Sequence, residues 1–214
     1  MAATKGKNIN PRVERKITRI SGVREVKQTF LIICEGVNTE PDYFNAFRLT
    51  SANVKAVGQG MGTLTLVQKA INIKEQEKRK GRIYNQNWVV FDKDDFPEND
   101  FNSAILLAQQ NGFEVAYSNQ AFEFWFLLHF LPNVVCRRYE SYEQLLPELQ
   151  KYMPGYEKTK RYFIRTNLYK YLTENGDLER AISNSEKLCQ LCQESPEDLK
   201  AYSEIHKVIE LLNS

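Results

Sequence analysis

The sequence predicts an α/β protein with a mostly parallel central sheet flanked by helices and a helical C-terminal extension. Two apolar runs, TFLIIC at 29–34 and WVVF at 88–91, have the composition of strands buried on both faces. Segments with helical spacing alternate with these runs and with two shorter strand-like segments, which is typical of parallel sheets. From Ser141 onward the spacing is helical only. The two patterns together predict a sheet domain followed by helices.

The first half of the chain contains the expected strands. TFLIIC leads through Glu35, Gly36 and Asn38 into a helix for which Thr39 is the expected N-cap. The elements expected after it are a strand at 54–57, a helix capped by Thr63, the strand at 88–91, a helix at about 99–111, a strand at 114–117 and a helix at 118–130.

The second half is expected to contain only helices, at 142–152, 162–173, 178–193 and 199–212. We therefore divide the chain into three regions. They are a basic N-terminal arm over 1–27, an α/β domain over 28–135, and a helical region over 136–214 packed on or beside that domain.

Composition indicates an ordinary globular protein. The chain has 214 residues, 42% hydrophobic and 26% charged, which is enough for one substantial core. No apolar run approaches the roughly 18 residues that a membrane span requires. The N-terminus lacks the apolar core of a signal peptide, and the four cysteines are too few and too scattered for a disulfide framework. We expect a cytoplasmic protein with reduced thiols and no membrane partner.

The charges are unevenly distributed along the chain. Residues 1–28 contain eight Lys and Arg against two Glu, and residues 151–170 contain six against one, with five aromatic residues interleaved. Basic residues among aromatics suit a nucleic-acid backbone with nearby bases, although a solvated and partly buried helix explains them equally well. Residues 174–210, with nine acids against four bases, are an unsuitable surface for nucleic acid.

Acidic residues follow two of the predicted strands. Asp92, Asp94 and Asp95 come after WVVF, and Glu35 comes directly after TFLIIC. Sites in open parallel sheets form beyond the carboxyl ends of the strands, so these acids are expected to converge if the strands are neighbours. Carboxylates in this arrangement suit Mg²⁺, which prefers oxygen ligands. Aspartates also form turns and cap helices, which is the alternative interpretation.

A further acid, Glu123, lies in the segment AFEFWFLLHF, which is apolar nearly all round and is expected to be a buried helix. A buried carboxylate requires a partner. We expect Glu123 to meet a cation or a basic side chain, or to interact favourably with the helix dipole. His129 and His206 are interpreted as structural histidines.

Three segments together resemble the motif blocks of the RloB-like proteins. They are FLIICEGVNTEPDYF at 30–44, VVFDKDDF at 89–96 and SNQAFEFWFLLHF at 118–130, in matching order and spacing. That family is regarded as Toprim-like, so the resemblance implies a Glu after the first strand and an Asp-x-Asp after a later strand that bind Mg²⁺ or Mn²⁺. The matching positions are Glu35, Asp92 and Asp94, with Asp95 as an accessory acid and Glu123 in the third block.

The resemblance also implies a function. Toprim proteins cut, join or extend nucleic acids, and RloB-like genes are associated with bacterial anti-phage and abortive-infection systems, often beside an ATPase partner. The residues suit this chemistry, because metal ions held by Asp92 and Asp94 would neutralise a phosphodiester while Glu35 acts as a ligand or a general base. Since no covalent nucleophile is evident, water is the expected attacking group.

We therefore expect a metal-dependent nuclease that acts on DNA or RNA, with an ATPase partner and a homo-oligomer left open. The alternative is a non-catalytic module of a defence complex that binds a metal or a nucleotide for regulation. A third interpretation treats the acids as turn formers only.

Overall fold

The centre of the fold is a parallel β-sheet. The computed structural model describes residues 28–47, 53–60, 62–93, 98–119, 121–132, 139, 141–194 and 203–213. Within these ranges the strands are β1 (Thr29–Cys34), β2 (Asn53–Gly58), β3 (Gln86–Lys93) and β4 (Glu114–Asn119). Their spatial order is β2-β1-β3-β4, and every neighbouring pair is parallel. The predicted α/β class with a parallel central sheet is confirmed.

Helices cover both faces of the sheet. In the described ranges they are α1 (Thr39–Ala46), α2 (Thr63–Arg79), α3 (Glu98–Gln110), α4 (Glu123–Leu128), α5 (Tyr142–Tyr152), α6 (Lys160–Arg165), α7 (Leu168–Asn175), α8 (Leu178–Glu194) and α9 (Ile205–Asn213). Because alternate strand residues point to opposite faces, the apolar side chains divide between two cores. Leu31 and Val89 pack with α2 and α3, whereas Phe30 and Val90 pack with α1, α4 and the C-terminal helices. None of the helices described is long and apolar enough to cross a membrane.

The C-terminal helices pack on the face of the sheet that α1 and α4 cover. Every residue of α4 is buried, and α5 and α8 contact this helix while α9 contacts β4. Leu149 of α5 and Val208 of α9 belong to the same buried cluster as Phe30 of β1. The helical region therefore shares a core with the sheet.

Two predicted helices differ in extent from the observed ones. Ser118 continues β4, where it pairs with Asp92, so the buried helix begins only at Glu123. The helix predicted at 162–173 is divided into α6 and α7. The division arises because the side chain of Asn167 accepts a hydrogen bond from the backbone N–H of Lys170 at 3.0 Å and caps a new helix.

Three helix starts also differ from the predictions. Thr39 and Thr63 are the first residues of α1 and α2 rather than their N-caps. The last helix begins at Ile205, because Ser203 forms an antiparallel bridge with Ser118 beside β4. The segment 199–202 of that predicted helix lies outside the described residues.

Side chains protect the edge of β2. The amide group of Asn45 in α1 donates to the carbonyl oxygen of Ala56 and accepts from its N–H, each at 3.0 Å. This pair of bonds imitates a neighbouring strand and occupies backbone groups that another chain would otherwise pair with. It also ties α1 to the sheet.

Candidate active site

The carboxyl ends of β1 and β3 bring Glu35 and Asp92 together. β1 and β3 are neighbours, and Cys34 pairs with Val90 in their register. Glu35 follows directly, and its N–H donates to the carbonyl oxygen of Val90 at 2.9 Å. The N–H of Asp92 donates to Oε2 of Glu35 at 3.1 Å. These two predicted site residues therefore lie side by side at the edge where sites form in parallel sheets.

Two glycines allow the loop after β1 to lie close against its surroundings. A Cβ atom at Gly58, the last residue of β2, would lie 2.1 Å from the carbonyl oxygen of Gly36. A Cβ atom at Gly36 would lie 2.0 Å from Oε2 of Glu40. The N–H of Gly60 also donates to the carbonyl oxygen of Glu35 at 2.7 Å. Gly36 thus leaves open the space that the carboxylate of Glu40 occupies.

Glu40 is a buried acid of this site that the sequence analysis did not identify. The residue is 2% exposed, and among the described residues its Oε2 atom has no hydrogen-bond partner. Burial raises the pKa of its carboxyl group, and the nearby carboxylate of Glu123 raises it further, against the opposing effect of Lys158. Glu40 lies in the first turn of α1, where an acid ordinarily interacts with the helix dipole, and it also falls within the first motif block at 30–44.

Glu123 is fully buried at the start of α4 and has two side-chain partners. The hydroxyl group of Tyr156 donates to Oε1 at 2.8 Å, and the ammonium group of Lys158 donates to Oε2 at 3.3 Å. Both partners lie in the connection between α5 and α6, more than 30 residues away in sequence. Of the partners expected for this carboxylate, the structure shows a basic side chain.

Lys158 links Glu123 to the strand-end acids. Burial alone would lower the pKa of its ammonium group, but the carboxylates of Glu123, Asp92 and Glu40 together raise that pKa above its usual value. Its Nζ atom also lies 5.5 Å from the ring centroid of Tyr142. Lys158 is therefore a charged ammonium group held among three acids, a role that its place in a basic stretch did not reveal.

The loop after β1 opens onto a cavity of about 510 Å³. We call it the acidic pocket; among its lining residues are Glu35, Glu40, Gly60, Gly62 and Lys158. Asp92 lies next to the acidic pocket, since its backbone N–H is hydrogen-bonded to Glu35. Among the described residues, the carboxylates of Glu123, Asp92 and Glu40 interact with Lys158, and Glu35 lines the same pocket. Acids therefore outnumber ammonium groups in this part of the structure, and the excess of negative charge favours a further cation.

The described residues provide the donor chemistry for a hard cation but only part of a ligand set. No three His, Cys, Asp or Glu side chains in these ranges are grouped closely enough to hold a metal ion. Of the predicted ligands, Glu35 and Asp92 are described, whereas Asp94 and Asp95 lie outside the described residues. The buried oxygen of Glu40 without a partner is the observation that best fits an additional cation.

Lys93 and the two histidines lie apart from the acidic pocket. Lys93 points to the opposite face of the sheet, with Nζ 5.1 Å from the ring centroid of Phe101. In the core, Nδ1 of His129 lies 3.0 Å from the carbonyl oxygen of Trp125. His206 is also buried, with its Nδ1 bonded to the hydroxyl of Ser185 at 2.7 Å. The interpretation of His129 as a core histidine is confirmed.

The basic stretch at 151–170 separates into core rings and surface cations. Its aromatic side chains all belong to, or pack against, the larger hydrophobic core; they are Tyr152, Tyr156, Tyr162, Phe163 and Tyr169. By contrast, Lys160, Arg161 and Arg165 of α6 are exposed. The cations of this stretch, rather than its rings, are therefore accessible to a polyanion.

One family model matches nearly all of the described fold. No curated protein matches the chain. The model of the RloB-like proteins, however, matches residues 30–212, which covers the sheet, the acidic pocket and the C-terminal helices. The chain belongs to the RloB-like protein family.

Proposed function

We propose that this protein is a nuclease of the Toprim type that hydrolyses nucleic-acid phosphodiesters with Mg²⁺ or Mn²⁺, as an effector of bacterial anti-phage defence. The observation that best supports the proposal is the hydrogen bond that the backbone N–H of Asp92 donates to Oε2 of Glu35, at 3.1 Å, on the carboxyl edge of a parallel sheet. Acids at this position, next to a cavity open to solvent, suit metal-assisted phosphoryl chemistry.

The cation would be held by Glu35 and Asp92, with Asp94 and Asp95 as further ligands and Glu40 as an additional one. When bound, the cation would neutralise charge on the phosphodiester and lower the pKa of a water molecule, which would then attack the phosphorus atom. The Oε2 atom of Glu40 favours this assignment, because a buried carboxylate oxygen without a donor is otherwise unfavourable.

Lys158 would bind a non-bridging oxygen of the phosphate. Its ammonium group lines the acidic pocket and lies near Asp92, so a phosphate beside that residue would be within its reach. Glu123 would act through Lys158, because its Oε2 atom accepts a hydrogen bond from the ammonium group, and Tyr156 would hold Glu123 in place by donating to Oε1. This assignment gives Glu123 a positioning role rather than that of a direct ligand.

The substrate would be DNA or RNA, with its backbone crossing the exposed cations of α6. Lys160, Arg161 and Arg165 lie just beyond Lys158 in the chain, so a strand whose phosphate occupies the acidic pocket would pass close to them. An ATPase partner would restrain the nuclease until infection.

The test compares the parent with Asp92→Asn and Glu35→Gln on labelled RNA and DNA, with Mg²⁺, Mn²⁺ or EDTA. Glu174→Gln is the matched control, since this exposed acid pairs only with Lys170 on α7 among the contacts described. We expect cleavage by the parent and the control, and a loss of about a hundredfold or more in both site variants. Equal rates in all four proteins would overturn the catalytic proposal.

A regulatory module that binds a cation without catalysis is the second candidate. It is favoured by the ammonium group of Lys158, which already compensates several of the acids. Titration of the parent with Mn²⁺ distinguishes the two functions. Cation binding that depends on Asp92, without cleavage of any nucleic acid, would support the regulatory module.

A further inference from the structure

A second cavity lies beside the acidic pocket. Its volume is about 320 Å³, and it separates the loop after β1 and the start of α1 from helix α6. We call it the side groove; the lining residues that matter here are Val37, Asn38, Asp42, Lys160 and Ile164. Val37 and Asn38 also line the acidic pocket, so the two cavities share a wall.

The side groove has exposed apolar groups on both of its sides. Val37 is 59% exposed on the β1 side, and Ile164 is 76% exposed on α6. The neighbouring Phe163 faces the core, so Ile164, one position further along α6, presents its apolar side chain outside the core. Apolar side chains on opposite sides of a cleft suit a flat ligand with apolar faces.

The polar groups of the side groove have complementary properties. Lys160 provides a positive charge on α6, and Asp42 provides a carboxylate from the first turn of α1. Asn45 also lines the groove, but its amide is already bonded to β2. The lining of the groove therefore includes apolar walls, the cation of Lys160 and the carboxylate of Asp42, which when ionised only accepts hydrogen bonds.

We infer that the side groove binds the nucleobase adjacent to the phosphate in the acidic pocket. This inference rests on the proposed nuclease function and assigns that site its specificity. A nucleobase has two apolar faces for Val37 and Ile164 and polar atoms along its edge for Asp42. Its phosphates match Lys160 on one side and Lys158 on the other, so the charges of the two cavities follow one strand.

Asp42 also determines which base is preferred. An ionised carboxylate has two acceptor oxygens and no donor. Guanine is the base whose Watson–Crick edge presents two adjacent donors, the N1–H and the N2 amino group, so it matches both oxygens at once. Because bases are recognised on these edges only when unpaired, the substrate is a single-stranded segment or loop containing guanine.

Binding is measured with the full chain bearing Asp92→Asn, which prevents turnover, and with fluorescein-labelled trinucleotides that differ only in the central base. Val37→Ser and Ile164→Ser test the apolar walls of the side groove, and Asp42→Asn tests recognition of the Watson–Crick edge of the base. Ile83→Ser is the matched control, because Ile83 is 80% exposed and lies before β3, at the opposite edge of the sheet from the site.

We expect both wall variants to weaken binding about fivefold or more, and the control to bind like the parent. Asp42→Asn is expected to abolish the preference for guanine while retaining affinity for the other bases. Unchanged affinity and base preference in all three groove variants overturn the inference, as does an equal loss in Ile83→Ser. An absence of trinucleotide binding up to millimolar concentration also overturns it, and would favour a protein partner for the groove.

The outcome separates this inference from the nuclease proposal. If guanine binds in the side groove but the parent cleaves no nucleic acid, the nuclease proposal is contradicted. The side groove would then remain a nucleotide-binding site. If the parent cleaves nucleic acid and the groove variants cleave it with the same rate and KM, the base-binding role of the side groove is contradicted and the nuclease proposal stands.

Discussion

The Nζ atom of Lys158 lies 3.3 Å from Oε2 of Glu123, where it joins a fully buried carboxylate to a partly exposed ammonium group. Tyr156 donates to the other oxygen of the same carboxylate at 2.8 Å. The pair connects the start of α4 to the segment before α6 and places a positive charge beside Asp92 and Glu40. The strand-end acids and the C-terminal helical region therefore form one electrostatic unit.

Replacing Lys158 with Met is expected to lower kcat about a hundredfold without weakening Mn²⁺ binding, because the variant loses a phosphate contact and a competing positive charge but no metal ligand. Lys158→Arg should recover part of the rate, since a guanidinium group also binds phosphate. The measurements are cleavage kinetics and Mn²⁺ titration. Lys151→Met is the control, because Lys151 pairs with Glu148 on the surface of α5. Parental kcat in Lys158→Met would contradict the phosphate role.

Gly36→Ala is expected to weaken Mn²⁺ binding about tenfold, because the new methyl group would occupy the position of the Glu40 carboxylate. Glu40→Gln should weaken it similarly, and the double variant should lose little more than either single variant, since both changes remove the same ligand. Calorimetric titration with Mn²⁺ measures the affinities.

Gly155→Ala is the control for the glycine substitution. Gly155 has positive φ and open space around its Cβ position, so this change should cost about 1 kcal/mol of stability and leave Mn²⁺ affinity unchanged. Fully additive losses from Gly36→Ala and Glu40→Gln would show that Glu40 is not the group displaced by the alanine.

The stability of the protein is expected to fall between pH 7 and pH 5 because of His129. Burial lowers the pKa of this imidazole from 6.5 to about 4, so the unfolded chain binds the proton more readily over that interval. The contribution of His129 is present above pH 6.5 and decreases as the pH falls towards 4, by about 2 kcal/mol at pH 5.

Urea unfolding at the two pH values measures this effect. In His129→Gln the pH dependence should be smaller by about 2 kcal/mol, although His206 acts in the same direction because its burial also lowers its pKa. Glu40 acts in the opposite direction, since its pKa is raised. The same pH dependence in parent and variant would show that His129 takes up a proton in the folded protein as readily as in the unfolded one.

The sheet was predictable because its information is local. TFLIIC and WVVF are apolar along their whole length, which is the pattern of strands covered on both faces, and parallel strands place the residues that follow them at one edge. The adjacency of Glu35 and Asp92 then depended only on β1 and β3 being neighbours. The boundary between α6 and α7 was missed because aromatic spacing continues through a capping residue, Asn167.

Features that depend on residues from different segments, such as the burial of Glu40, were harder to predict from the sequence. Glu40 occupies a first helical turn, where an acid is ordinarily exposed, and its burial results from a glycine four residues earlier that lacks a Cβ atom. The missing Cβ atom of Gly36 leaves the space that the carboxylate of Glu40 fills, so neither residue by itself indicates that the two are in contact. The same holds for the side groove, whose walls come from the loop after β1 and from α6.

From the residues alone, the α/β class, the parallel sheet, the acids at its strand ends and the helical C-terminal region followed, because each depends on periodicity within a single segment. The partner of Glu123, the burial of Glu40 and the place of Lys158 among three acids depended on tertiary structure. Their physical cause is the packing of α4 and the C-terminal helices on one face of the sheet. That packing joins charges far apart in sequence, which no local pattern specifies.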